Sequence, residues 1–335
     1  MTEQNNKEKN NKNFMNYLPF ILGGVIVLII VIAIIRIAVW NRGIEYEIDE
    51  NDTTDYSTET RDYLFFRNPA LLEGNTEDDG ELQVVILGND MYLYEEDGQS
   101  IASMLEEQIN GTVYNCALKG SRFCSVNDRW DNEFPENNNA MDAFGYFWIT
   151  ESIQHQDYTM QWGQIERLPE HIDKKHYTDV IRRLESIDFN KVDLLLICYD
   201  GHDYVEDFPG SIVDQKYTIL SMEGSMGATL EKYGPNYPYM QLMYVAPTFC
   251  YTIDENGNKR GADLRNEYDV SLPDCLGYVL DMTMNYQASF LDNYYGIKIN
   301  AENADSYLLE DGITPNYEGR KMIAERIVKY VNERL

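Results

Sequence analysis

The stretch LQVVILGNDMY, Leu82 to Tyr92, decides the fold. A mostly apolar run from Leu82 to Leu87 stops at Gly88-Asn89-Asp90. Leucine and β-branched residues bounded by a glycine turn read as a strand buried on both faces. The turn after such a strand is where α/β proteins place reactive side chains. Asp90, two residues past the glycine, is therefore the first candidate functional residue.

Outward from that run, strand and helix patterns alternate. Gly98–Ile109 reads as a helix stopped by Asn110-Gly111, and Thr112–Leu118 as a second strand. A helix is expected near Met141–Ile153, and the amphipathic HYTDVIRRLESI, His176–Ile187, predicts another. Val192–Tyr199 and Met240–Pro247 read as buried strands, 276–294 as helical, and Gly296–Asn300 as a short fifth strand. A last helix is expected over Tyr317–Asn332. Alternation of this kind predicts a three-layer α/β/α sandwich with a mostly parallel sheet in one domain, residues 81–335.

The amino end has a different character. Residues 1–16 form a short polar tail, and 17–40 contain an uncharged run from Leu18 to Ile35. Eighteen helical residues span about 27 Å, close to the apolar thickness of a bilayer. Arg36 and Trp40 sit where a cation can snorkel beside an aromatic anchor. Residues 17–40 are thus expected to be a single transmembrane anchor, with the bilayer as partner, and 41–80 an acidic, Thr-rich stalk and lead-in. Lys7, Lys9 and Lys12 before the span, against Arg36 and Arg42 at or after it, favour the amino end in the cytoplasm and the large domain outside the cell membrane.

Residues 1–36 carry a net +2, which leaves −32 for the remainder of a chain of net charge −30. Such a body repels polyanions, so nucleic acid is not an expected partner. Acidity also serves solubility and attracts cations. The five cysteines, Cys116, Cys124, Cys198, Cys250 and Cys275, show no CxxC spacing and indicate neither a zinc site nor a disulfide framework.

In a parallel sheet, chemistry gathers at the carboxyl ends of the strands. Four segments are expected there: LGNDMY with Gly88, Asn89 and Asp90; NCALKGSRF with Gly120 and Ser121; CYDGHDY with Asp200, His202 and Asp203; and LLEDGITPNYEGRKMIA with Asp311 and Thr314. The other histidines, His155, His171 and His176, fall between the second and third strands and read as surface residues. Ser225 in MEGSMG has Glu223 where a nucleophile elbow needs glycine.

On these segments the chain resembles the SGNH, or GDSL, hydrolases, esterases and acetylhydrolases of flavodoxin-like α/β/α fold. The resemblance covers roughly residues 82–335; DGITPNYEGRKMIAERI is its most specific part, and VYNCALKGSR looks like the family's second block. It implies that Asp90 stands at the nucleophilic serine, Gly120 at the oxyanion-hole glycine, His202 at the oxyanion asparagine, Asp311 at the acid and Thr314 at the base. Threonine has no usable pKa for a base, and an aspartate is a weak nucleophile toward esters. The expectation is a catalytically degenerate, membrane-anchored domain that binds an acylated envelope polysaccharide or supports a partner enzyme.

Gly88, Asn89, Gly120, Ser121 and Asp203 are the expected ligand-binding residues, and Trp130, Tyr92 and Tyr204 could stack on sugar faces. One alternative is an active ester hydrolase or acyl transferase working through Asp90, His202 and Asp311. No cofactor is expected, although a divalent cation on those three residues would suit that alternative. A second alternative is a surface structural protein whose aspartates only cap helices and brace loops.

Overall fold

The computed structural model describes residues 59–65, 75, 79–90 and 99–334 except 255, with 26 and 31 as isolated positions. The chain divides into Met1–Ser57 and a compact unit, Thr58–Leu335. Ile26 and Val31 of the first unit are helical and exposed. The expected span over 17–40 otherwise lies outside the described residues, as do most of the stalk and Tyr92. Among the described residues no helix is long and apolar enough to cross a membrane.

The second unit is an α/β body. In chain order it contains β1 (Leu82–Gly88), α1 (Ile101–Gln108), β2 (Gly111–Asn115), α2 (Tyr146–His155), α3 (Thr159–Gln164), α4 (Lys174–Ser186) and β3 (Leu194–Cys198). There follow α5 (His202–Val205), α6 (Met222–Asn236), β4 (Gln241–Val245), β5 (Tyr251–Ile253), β6 (Lys259–Gly261) and α7 (Leu272–Asn285). β7 (Ser289–Leu291), α8 (Asn293–Gly296) and α9 (Tyr317–Arg334) complete it. Five strands pair in parallel in the order β2-β1-β3-β4-β7, while β5 and β6 form a separate antiparallel hairpin. Helices cover the sheet: α1 packs with α9, and α6 with α7 and α2. This is the expected three-layer architecture. Its central strands read as continuous apolar runs because both faces are covered; every residue of β3 and β4 is buried.

Three expectations need correction. The fifth strand is Ser289–Leu291, not Gly296–Asn300, and it falls inside the stretch read as a continuous helix over 276–294. Gln287 adopts φ 57°, which ends the helix and lets Phe290 enter the sheet beside β4. The helix α6 was not expected at all. Finally, the acidic lead-in is not wholly a stalk, since Tyr63 pairs antiparallel with Phe290 at the sheet edge. There Arg61 donates its backbone N–H to Asp292 at 2.8 Å, and Arg326 grips Asp62 at 2.8 and 2.9 Å.

Candidate functional site

The site forms where β1 and β3 end side by side. Gly88 pairs with Cys198, and a Cβ on Gly88 would lie 2.1 Å from the Cys198 carbonyl oxygen. Only glycine lets the two strand ends come this close. The next residues lock together: Asn89 donates its side-chain amide to Asp200 Oδ1 at 2.8 Å, and the Asp200 N–H returns to Asn89 Oδ1 at 3.0 Å. Asn89 and Asp200 are both buried, so this reciprocal pair is a dry brace across the sheet end.

Asp200 also holds His202. Its Oδ1 accepts the His202 backbone N–H at 3.1 Å and faces the imidazole Nδ1 at 2.6 Å, while its Oδ2 is buried with no donor among the described residues. The His202 side chain is 29 % exposed, so one edge of the ring reaches the cleft. Burial alone would pull this imidazole down. The Asp200 hydrogen bond and charge, with the charges of Asp90 and Asp311, outweigh burial and push it up to about 9. At neutral pH His202 is therefore an imidazolium, a donor with no lone pair to take a proton.

Asp90 turns elsewhere. Its Oδ2 accepts the Gly120 N–H at 2.6 Å, and Gly120 presents that N–H from a left-handed turn at φ +72°. Burial raises the Asp90 carboxyl above the ordinary aspartate value, and the Asp200 charge adds to this. The Gly120 N–H and the charges of His202 and Lys119 oppose both.

Asp311 closes the other side. Its Oδ1 takes the backbone N–H groups of Ile313 and Thr314, each at 2.9 Å, and its Oδ2 takes the Thr314 hydroxyl at 2.6 Å. Asp311 is exposed whereas Thr314 is buried, so the pair is a turn closed on itself ahead of α9. Gly201 fits tightly between these segments, because a Cβ there would meet Cys250 Sγ at 2.5 Å.

The sequence-derived residues thus divide. Asp90, Asp200 and Asp311 surround His202 closely enough to raise its pKa, and Gly88, Asn89 and Gly120 frame them. Ser121 does not face the cleft: it is buried and donates to the Gly88 carbonyl at 3.1 Å. Asp203 is buried as well and braces the following loop, taking the N–H groups of Phe123 at 3.0 Å and Cys124 at 2.7 Å. Burial nevertheless pushes the Asp203 carboxyl up to about 6.

Arg122 pairs with Glu206 at 2.5 Å and not with the cleft carboxylates. Tyr204 donates to the Leu264 carbonyl, and Trp130 sits edge-to-face with Trp148. His176 contacts the Ala117 carbonyl at 2.9 Å, and the exposed His155 lies 3.9 Å from Glu151. Among the described residues no three His, Cys, Asp or Glu side chains form a group able to hold a metal ion, so the weak cation candidates Asp90, His202 and Asp311 do not converge as a ligand set. The role that sequence reading left unassigned is that of Asp200, the partner of His202; its signal is the Asp-x-His spacing in DGHD.

What this arrangement offers is hydrogen bonding, with one imidazolium donor set among carboxylates. Ser121 donates its hydroxyl to the Gly88 carbonyl, and Thr314 donates its own to Asp311.

The sequence matches no family model and no curated protein. Solved structures are similar in fold. A protein from Lactobacillus plantarum is 14 % identical, with TM-score 0.51, covering 76 % of this chain and 98 % of that one. A possible lipase from Chitinophaga pinensis is 15 % identical, with TM-score 0.47 and coverage of 76 % and 98 %. A lipase/acylhydrolase from Enterococcus faecalis is 12 % identical, with TM-score 0.41 and coverage of 76 % and 97 %. At such identities a likeness speaks for the fold alone. The likeness to the Lactobacillus plantarum protein agrees with the α/β architecture and the parallel five-strand sheet described above.

Proposed function

We propose that this protein is a non-hydrolytic SGNH-like domain, anchored in the cell membrane through residues 17–40 with its large domain outside. Its cleft would hold an acylated envelope glycan, or present one to a partner enzyme. The observation that carries the reading is the 2.6 Å hydrogen bond from the Gly120 N–H to Asp90. The resemblance puts the nucleophile at Asp90 and an oxyanion donor at Gly120. Here the side chain at the first position occupies the donor at the second. A tetrahedral oxyanion would have to displace a carboxylate that is already bound there. The protonated His202 supports the same reading, since it can donate to a ligand carbonyl or hydroxyl but cannot activate a nucleophile at neutral pH.

One observation favours a second reading. The Asp200–His202 pair at 2.6 Å has the form of an oriented acid–base group, and an imidazolium can serve as a general acid in acyl transfer. The full chain in detergent micelles, assayed with p-nitrophenyl acetate and an acetylated polysaccharide, separates the two. The non-hydrolytic reading expects release no faster than with the Asp90→Asn and His202→Ala variants. Turnover that disappears in either variant would overturn it in favour of an active acyl hydrolase or transferase.

A further inference from the structure

A second recess lies apart from the cleft. A pocket of about 600 Å³ opens between α2, α3 and the loop that carries Trp130, and it shares no lining residue with the cleft. Its size falls within the range of small-molecule sites, about 300–1,000 Å³. One wall is a corner of two indoles, Trp130 and Trp148, with centroids 5.9 Å apart and planes at 65°. The Trp148 Nε1 is buried and meets no acceptor among the described residues. A buried N–H without an acceptor is rare in native structures, so this indole stands out as an unsatisfied polar group in the pocket wall.

The charges of the rim decide the ligand class. Glu151 lines the pocket, but its Oε1 is met by the Lys232 ammonium at 2.6 Å, and its Oε2 lies 3.9 Å from His155. An aromatic corner beside a bare carboxylate would suit an organic cation. Here that carboxylate already has its cation, and the second carboxylate of the rim, the exposed Asp157, accepts the Thr159 N–H at 2.9 Å. The remaining rim mixes donors and acceptors, Asn132 and Gln164 among them, around an aromatic face. The apolar face of a pyranose ring packs on indole while its hydroxyls both give and take hydrogen bonds, which this lining answers.

The loop is also held in place beforehand. Asp142 accepts the N–H groups of Val126 at 3.0 Å and Asn127 at 2.9 Å, and Asn138 accepts the N–H of Asp131 at 2.9 Å while donating to its carbonyl at 2.9 Å. A prearranged ring lowers the ordering cost of binding.

We propose that this pocket is a saccharide subsite for a neutral pyranoside, distinct from the sheet-end cleft. It goes beyond the reading of the cleft, because a sugar bound here requires nothing of Asp90 or His202. The test is saturation-transfer NMR on the full chain in detergent, titrating glucose, N-acetylglucosamine and, as contrast, choline chloride. Two variants address the pocket. Trp130→Ala removes one ring. Gly163→Leu adds a side chain from α3 at an exposed, pocket-lining position where a new Cβ meets no atom within 4 Å, so the fold is spared.

The expected result is saturable transfer to ring protons of at least one sugar. It should weaken about tenfold in Trp130→Ala, the value of one stacked ring, and be lost in Gly163→Leu. No transfer to either sugar at about 50 mM, or transfer unchanged in both variants, overturns the proposal. So does a response to choline alone. Loss in His202→Ala with retention in both pocket variants would assign the sugar to the cleft and likewise overturn it. Ester hydrolysis decides the cleft reading separately, and neither result determines the other.

Discussion

The protonation state of His202 is the property on which the chemistry of the cleft turns, and it can be measured directly. In the folded chain the Asp200 carboxylate 2.6 Å from Nδ1, helped by Asp90 and Asp311, holds the proton to about 9. An unfolded histidine releases it near 6.5. The difference corresponds to about 3 kcal/mol of linkage, an upper value because part of the ring meets water. The sign follows from the raised folded value. This stabilisation is fully present below pH 6.5 or so and is lost as pH rises through about 9.

With four histidines in the chain, the imidazole Cε1–H resonances can be assigned by single substitutions. The expected titration has one midpoint near 9, absent in His202→Ala. In Asp200→Asn the charge is removed while burial persists, so the midpoint should fall below about 6.5. Urea unfolding between pH 6.5 and 9.5 should show a loss of stability that His202→Ala largely abolishes. A native midpoint near 6.5, or one that Asp200→Asn leaves in place, would refute the argument and restore His202 as a possible base.

Three further outcomes follow from the geometry. Asp203→Ala leaves the buried N–H groups of Phe123 and Cys124 without their acceptor and should cost about 2–4 kcal/mol in denaturant unfolding; a loss under about 1 kcal/mol would mean that the loop has another brace. Gly88→Ala drives a Cβ onto the Cys198 carbonyl and should destabilise the chain by at least about 3 kcal/mol or prevent soluble expression, whereas a melting temperature near the native one would show that the strand ends are less tightly paired. Asp90→Ser combined with Thr314→His frees the Gly120 N–H and sets an imidazole beside Asp311. Ester hydrolysis above background is expected from the pair and from neither single change, and its absence would count against the alignment of these positions with the family's dyad.

How far the sequence could be read depends on the range of the interactions involved. The central strands were legible because a parallel strand covered on both faces must be apolar throughout, and Val84–Leu87, Leu194–Cys198 and Leu242–Val245 are all buried. Helix α6 was not, because Gly224 and Gly227 lower helical propensity. They are kept for packing: a Cβ at Gly224 would meet the Thr218 carbonyl at 1.9 Å, and one at Gly227 the Met282 side chain at 2.8 Å. β7 was hidden for a related reason, since three residues are too few to show a period.

The site follows the same rule. Asp200 and His202 are two residues apart, so their pairing could be anticipated from DGHD alone. The Asp90–Gly120 bond joins loops thirty residues apart and depends on how β1 and β2 register, with the Leu118 N–H on the Gly88 carbonyl at 2.9 Å. Sequence identifies which chemical groups reach the rim of the sheet. Which donor each acceptor meets is set by the sheet register. In this chain the register gives the Asp90 carboxylate the Gly120 N–H, which on the proposed reading is the donor an esterase would reserve for its oxyanion.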